Sequence, residues 1–283
     1  MRLNAYVLAG DPAWIPESIG SYYGLVDRIV VSYDRQGRSW SGAPLSVEDS
    51  LARIRAADPD GKVVMLPGDY ADADRFTMRL ETEQRQASLD AASEGADWVI
   101  QLDTDEIVPT PSVFANLIAR AHDRAAEALH YPARVLYNRT ADGVFLEQCR
   151  RLWGWQAAYP GPVAVRAGTT LSFARQAATA PLYRVDLAPW NTDPAHPRWA
   201  RVHAVVQPRD AVLHMSWVRT EAQMAEKAIV SGHASSRDWT RELRTWRRRA
   251  RHPLRTTLAA PFTRDPVQRF RMTRLPEYAD VEP

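Results

Sequence analysis

Residues 97–109, Asp-Trp-Val-Ile-Gln-Leu-Asp-Thr-Asp-Glu-Ile-Val-Pro, constrain the fold of this chain more than any other stretch. The apolar run Trp98, Val99, Ile100 and Leu102 reads as a buried strand of about five residues. It ends in Asp103-Thr104-Asp105-Glu106, three carboxylates within four residues. Carboxylates packed that closely repel one another unless a cation or solvent lies among them. In extended chain, Asp103 and Asp105 point to the same side, so both can face one hard cation or its water shell. The competing reading is a chance Asp-x-Asp at the edge of an open sheet, and the surrounding pattern decides between them.

The first 110 residues alternate between two periodicities. Strands are expected over 3–9, 28–33 and 62–66, and helices over 12–24, 46–57 and 78–94, before the acidic strand. Ser46 is placed as the N-cap of the second helix, with Glu48 and Asp49 near its positive end. Strands alternating with helices imply a mostly parallel sheet covered on both faces. Such sheets bind ligands beyond the carboxyl ends of their strands. One rim is therefore expected to gather Ala9, Gly10 and Asp11, Asp34, the Pro67-Gly68-Asp69 loop, and Asp103 with Asp105.

After Pro111 the pattern changes. A helix is expected over 112–128, strand-like pieces over 129–137, 144–149 and 163–167, and a loop-rich stretch over 153–192. A last strand is expected over 210–217. Thr220 with Gln223 then forms a capping-box signature for a helix carrying Lys227. The tail is arginine-rich and includes Arg247, Arg248 and Arg249, with Trp239 and Trp246 on one helical face. No internal repeat or low-complexity linker interrupts the chain.

Bulk properties exclude some classes. A net charge of +2 over 283 residues is too small to argue for nucleic-acid binding. Lys62 and Lys227 are the only lysines, so positive charge is almost entirely arginine. The single cysteine, Cys149, forbids an intrachain disulfide and fits a reducing compartment. The opening apolar core is broken by Asp11 and Pro12, which reads as a first strand rather than a signal peptide. No segment approaches the roughly 18 apolar residues that span a bilayer. A cytoplasmic location is expected, with peripheral contact at the inner membrane face if the arginine tail meets anionic lipid.

With this strand order and acidic motif, residues 1–235 resemble the GT-A-fold glycosyltransferases, family 2 and its relatives. The residues that carry the resemblance are the opening unit 7–34, Asp103-Thr104-Asp105-Glu106, and His214-Met-Ser-Trp-Val followed by Lys227. It implies a Rossmann-like, mostly parallel α/β sheet with helices on both faces. The donor half would be 1–110, the acceptor half 111–235, and a helical appendage 236–283. It further implies a nucleotide-sugar donor, a UDP-sugar first, and a saccharide or lipid-linked acceptor. Mn2+ or Mg2+ would be held by Asp103, Asp105 and His214, with an imidazole nitrogen favouring Mn2+. Ala9, Asp11, Asp34, Arg85, Asp103 and Lys227 are the expected donor contacts. Asp186 is the expected base, in competition with Glu147 and Asp193, and Trp153, Trp155 and Trp190 are candidates for stacking on sugar rings. Replacement of Asp105 by Ala is expected to leave folding intact, because relief of repulsion offsets lost contacts. Two rival classes remain: a noncatalytic nucleotide-sugar-binding module, and a nucleotidyltransferase. The latter usually shows a Gly-rich basic loop after the first strand, whereas Leu8-Ala-Gly-Asp-Pro lacks the basic residue.

Overall fold

The computed structural model describes residues 1–140, 143–178, 181–230 and 238–281. The chain runs β1 (Leu3–Leu8), α1 (Ile15–Tyr22), β2 (Arg28–Asp34), α2 (Val47–Ala56), β3 (Val63–Gly68), α3 (Thr77–Ser93), β4 (Trp98–Ile100), β5 (Glu106–Ile107) and α4 (Pro111–Asp123). It continues through β6 (Ala128–His130), β7 (Ala133–Arg139), β8 (Val144–Gln148), β9 (Ala164–Arg166), β10 (Leu171–Phe173), β11 (Gln176–Ala177), β12 (Leu182–Asp186), β13 (Ala204–Val205) and β14 (Val212–His214). The last elements are α5 (Glu221–Val230), α6 (Trp239–Arg251), α7 (Pro253–Ala259) and β15 (Phe270–Arg274). The expected boundary at 235/236 lies outside the described residues.

The architecture is α/β with a mostly parallel main sheet, as expected. Its strand order is β13-β12-β6-β9-β4-β1-β2-β3, and only β9 runs against its neighbours. Side chains on β1 alternate in their destinations, as a buried parallel strand requires. Leu3, Ala5 and Val7 enter the cluster formed with α1, α2 and α4, while Tyr6 joins Leu89 and Ala92 of α3 on the opposite face. The same division holds on β4, where Trp98 and Ile100 face one way and Val99 the other.

A second sheet, ordered β15-β8-β7-β14-β5, packs beside the first. The expected strand over 129–137 divides at Tyr131-Pro132 into β6 and β7, which join different sheets. Pro132 has no N–H to give a ladder, so the chain changes sheets there. β9 falls within the strand expected over 163–167, and the loop-rich stretch 153–192 holds three further short strands, β10 to β12. The tail is helical in α6 and α7, and it also supplies β15, paired antiparallel with β8. Trp246 is buried in the cluster with Tyr137 and Phe270, so this tail tryptophan packs on the second sheet. Ser46 precedes α2 but does not cap it; its hydroxyl donates to Glu226 Oε1 at 3.1 Å. Among the described residues, no helix is long and apolar enough to cross a membrane.

Chain order defines where a ligand can sit. From β1 the chain moves outward through β2 and β3, then returns to place β4 on the other side of β1. The connections beyond the carboxyl ends of β1 and β4 diverge at this reversal and leave a crevice between them.

Candidate active site

The two sides of the crevice are built by the ends of β1 and β4. The Ala9 amide still bonds to Ser32 at 2.9 Å, after which the chain turns away through Gly10 and Asp11. Asp11 Oδ1 accepts from the Ala13 amide at 3.0 Å and fixes this turn. Trp14 follows with φ of 66°, a left-handed conformation unfavourable for a bulky residue. Its fully buried ring donates Nε1–H to the Val218 carbonyl at 2.9 Å, which ties the loop to the far end of the site.

Across the crevice, the acidic motif differs from the extended segment expected of it. The Glu106 amide donates back to the Asp103 carbonyl at 3.0 Å, so residues 103–106 form a turn between β4 and β5. The expected repulsion, seen in the upward push of Asp105 on Asp103, is outweighed for a definite reason. Arg85 Nη2 meets Asp103 at 2.7 Å, Arg175 meets both oxygens of Glu106 at 2.5 and 2.6 Å, and Arg219 meets Asp105 at 2.9 Å. Lys227 Nζ lies 3.3 Å from the same Asp105 oxygen. The neutralising cations among the motif's carboxylates are thus guanidinium and ammonium groups of the chain itself.

Burial alone would raise the Asp105 carboxyl, but Lys227, His214 and Arg219 together outweigh it and hold the group well below the usual carboxylate range. Asp103 follows the same logic: burial raises it, and Arg85 and Arg175 bring it below its ordinary value.

His214 and Lys227 come from more than 100 residues downstream by a traceable route. Antiparallel pairing of β14 with β5 sets His214 opposite Glu106, and the Met215 amide donates to the Asp105 carbonyl at 2.8 Å. His214 Nε2 then stands 3.6 Å from Asp105 Oδ1. The expected capping box forms: Gln223 Oε1 accepts from the Thr220 amide at 2.8 Å, and Thr220 Oγ1 accepts from the Gln223 amide at 3.3 Å. It starts α5 in the direction that delivers Lys227 to Asp105.

These residues enclose a cleft of about 530 Å³. Ala9, Asp11, Asp34, Arg85, Asp103, Asp105, His214 and Lys227 all line it. Asp34 has both oxygens engaged by backbone amides, Gln36 and Arg38 on one and Tyr70 and Ala71 on the other. It therefore organises the two loops on that side of the cleft. Asp186 lies elsewhere. It is fully buried at the end of β12 and accepts from the Leu187 and Thr192 amides and the Thr192 hydroxyl. That placement does not present Asp186 to an acceptor in the cleft. Glu147 is likewise buried between Arg134 and Arg271, and Asp193 pairs with His196. The guanidiniums of Arg134 and Arg271 both lie over the Trp155 ring, Trp153 donates to the Thr257 carbonyl, and neither tryptophan nor the exposed Trp190 lines the cleft.

Several cleft residues escaped the sequence reading. Trp40 lines the cleft and donates its indole N–H to Gln84 Oε1 at 2.8 Å; Arg38, Trp217 and Trp239 line it too. Arg219 does not line it but pins Asp11 and Asp105 together at 2.8 and 2.9 Å. Its one signal was a lone arginine between the buried Val218 and the capping box.

The donor set for a divalent cation is small. Among the described residues, no three His, Cys, Asp or Glu side chains group as a metal-holding cluster. The cleft offers instead one carboxylate–imidazole pair: Asp105 Oδ1 accepts no hydrogen bond among the described residues and faces His214 Nε2. Mg2+-like ions are commonly held by one or two carboxylates plus substrate phosphates, so this pair fits such an ion once a diphosphate supplies the other oxygens.

No protein-family model matches the chain, and no curated protein matches it. Among solved structures, it is similar to a mannosyltransferase from Pyrobaculum calidifontis in complex with GDP-Man and Mn2+, at 16% identity and a TM-score of 0.33. That match covers 47% of this chain and 36% of the mannosyltransferase, so the chain spans little more than a third of it. It is also similar to 4-diphosphocytidyl-2C-methyl-D-erythritol synthase from Anaerococcus prevotii, at 13% identity and a TM-score of 0.34, covering 59% of this chain and 71% of that one. A third similarity is to mannose-6-phosphate isomerase from Helicobacter pylori, at 13% identity and a TM-score of 0.31, covering 51% of this chain and 58% of that one. These partial likenesses assign no activity.

Proposed function

We propose that the chain is a GT-A-type glycosyltransferase that binds a nucleotide-diphosphate-sugar in this cleft and passes the sugar to a saccharide or lipid-linked acceptor. The observation that carries the reading is the position of the Asp105 cluster. It stands at the β1/β4 reversal of a mostly parallel sheet, with Lys227 and His214 brought to one carboxylate from the distant β14–α5 segment. Such crevices accept nucleotides, and a diphosphate there needs positive charge that can follow it as the glycosidic bond breaks. Both Lys227 and Arg219 face Asp105 and Asp11, but Lys227 is the cation best suited: its side chain is 21% exposed and stands 3.3 and 3.8 Å from the two acids, whereas that of Arg219 is 1% exposed and held at 2.9 and 2.8 Å. Asp103 presents a carboxylate, 34% exposed and steadied by Arg85, to ribose or sugar hydroxyls. Trp40, fixed by Gln84, gives the cleft a flat apolar wall suited to a base or sugar ring.

Asp105 and His214, with Asp103 beside them, would hold Mn2+ or Mg2+. When bound, the ion supplies Lewis acidity and charge neutralisation at the leaving diphosphate.

One observation favours a second reading. Asp186, Glu147 and Asp193 all stand outside the cleft lining, and a module that binds the donor without transfer needs no base there. A thermal-shift screen of UDP-, GDP- and dTDP-sugars with and without Mn2+, followed by assay of nucleoside diphosphate release, tests both. Stabilisation with release supports transfer, and stabilisation without release under varied acceptors supports the binding module. Pyrophosphate release from nucleoside triphosphates with sugar phosphates would instead establish a nucleotidyltransferase.

A further inference from the structure

A second groove, of about 1030 Å³, lies away from the cleft between α6, α7 and the turn at 263–268. Arg241, Arg244 and Arg248 line it from one face of α6 at spacings of three and four, and Arg255 of α7 lines it as well. All four are exposed. Among the described residues, the ion pair that α6 makes is that of Arg247 with Glu221, which leaves these four without a carboxylate partner.

Arg249 is the unusual member. It lines the groove at only 7% exposure, lies over the rings of Tyr137 and Phe270 at 4.9 and 4.5 Å, and donates to Gln268. Its Nη1 has no hydrogen-bond partner among the described residues. A buried guanidinium without a carboxylate is costly, and attraction to two rings offsets only part of that cost. Of the groove's own acids, Glu242 attracts Arg249 from a distance, and none forms an ion pair with it among the described residues. Asp238 caps α6 through the Arg241 amide, Asp265 caps the following turn through the Val267 amide, and Glu242 completes the set. Five guanidiniums thus face three carboxylates.

We propose that this groove binds a phosphate-bearing anion, gripped by Arg249 at its inner wall and by Arg241, Arg244, Arg248 and Arg255 at its rim. Guanidinium forks match phosphate oxygens two at a time, and several forks around one concavity suit a diphosphate better than a single carboxylate. The volume matches that of small-molecule sites. The two linings share no residue, although Trp239 of the cleft adjoins Asp238 of the groove in sequence. The phosphate can belong to a free small molecule or to a lipid headgroup.

The test uses the full chain carrying Lys227→Met, so that diphosphate binding in the donor cleft is weakened at least tenfold. Calorimetry with inorganic pyrophosphate should show binding that weakens as salt rises. Arg244→Gln with Arg248→Gln, both exposed positions, should weaken it at least tenfold, and Arg249→Met should do the same. If Arg249→Met fails to fold, the exposed pair carries the test alone. Sedimentation with phosphatidylglycerol and with phosphatidylcholine vesicles separates the sources. Arginine-dependent capture by the anionic vesicles identifies a headgroup, and pyrophosphate binding without vesicle capture identifies a free ligand. Absence of both at low salt, or binding unchanged in the Arg244/Arg248 variant, overturns the proposal.

Discussion

Replacing Asp105 by Ala should destabilise this protein, contrary to the expectation from carboxylate repulsion. Asp105 is 7% exposed and pairs with Arg219, Lys227 and His214. Its removal leaves the buried Arg219 guanidinium with Asp11 Oδ2, at 2.8 Å, as its remaining carboxylate among the described residues, beside the Met215 and Val218 carbonyls. Breaking a buried ion pair from one side costs about 3–5 kcal/mol, and the surviving Asp11 contact places this case near the lower end, about 3 kcal/mol. For a chain of this size that corresponds to a drop in Tm of roughly 6–10 °C. Arg219→Met should also destabilise, and the double variant should cost about 2 kcal/mol less than the sum of the two, because neither charge is then stranded. The pH dependence has a definite sign. Asp105 is depressed in the folded state, so its contribution is present above the unfolded carboxyl range and is lost as pH falls through the lower folded value. Thermal unfolding of the three variants near neutral pH and in acid measures all of this. An unchanged Tm for Asp105→Ala, with additive behaviour in the double variant, would refute the ion-pair account.

Three further outcomes follow from the same structure. His214→Ala should weaken Mn2+ binding by calorimetry while moving Tm little, since His214 is half-buried and its Nδ1 has no partner among the described residues; a large stability loss with metal affinity retained would make it a packing residue. His130 is lowered to about 3 by burial, with Arg184 and His196 adding to the effect. Its stabilising contribution is whole above pH 6.5 and declines toward pH 3, by up to ~1.4 kcal/mol per pH unit, so His130→Phe should flatten the fall of Tm across that window. Thr220→Ala removes one half of the capping box at about 1 kcal/mol, and should weaken nucleotide-sugar binding severalfold by loosening the helix that carries Lys227; unchanged affinity would detach α5 from the site.

Much of this arrangement was legible in the sequence because it is local. Alternating apolar runs placed β1, β2, β3 and β4 with their helices, and the rule that parallel sheets bind ligands at their carboxyl ends put Ala9, Asp11, Asp34 and Asp103 on one rim. Thr220 and Gln223 announced α5 because a capping box is complete within four residues. What stayed hidden is nonlocal. Arg175 and Arg219 reach Glu106 and Asp105 across 69 and 114 positions, so the charge balance of the acidic motif could not be seen from the motif itself. The extended geometry assumed for Asp103 and Asp105 fails because the Glu106 amide closes a turn, which no side-chain pattern reveals. Asp186 was expected as the base only from its distance downstream of the Asp-x-Asp, and that spacing does not show that Thr192, six residues on, folds back to occupy its carboxylate. In the arginine tail, Trp246 packs with Tyr137 and Phe270 of the second sheet, and Arg249 lies over the same two rings, a contact that the arginine run itself does not show.

The central claim is that the Asp105 cluster receives the diphosphate of a nucleotide sugar, and calorimetry of UDP-sugar binding with Mn2+ present tests it most directly. Wild-type protein should bind, Lys227→Met should bind at least tenfold more weakly with its Tm nearly unchanged, and inclusion of UDP should compete with the sugar nucleotide. Equal affinity of the wild-type and Lys227→Met proteins, or no binding of UDP-, GDP- or dTDP-sugars by a folded wild-type chain, would contradict it.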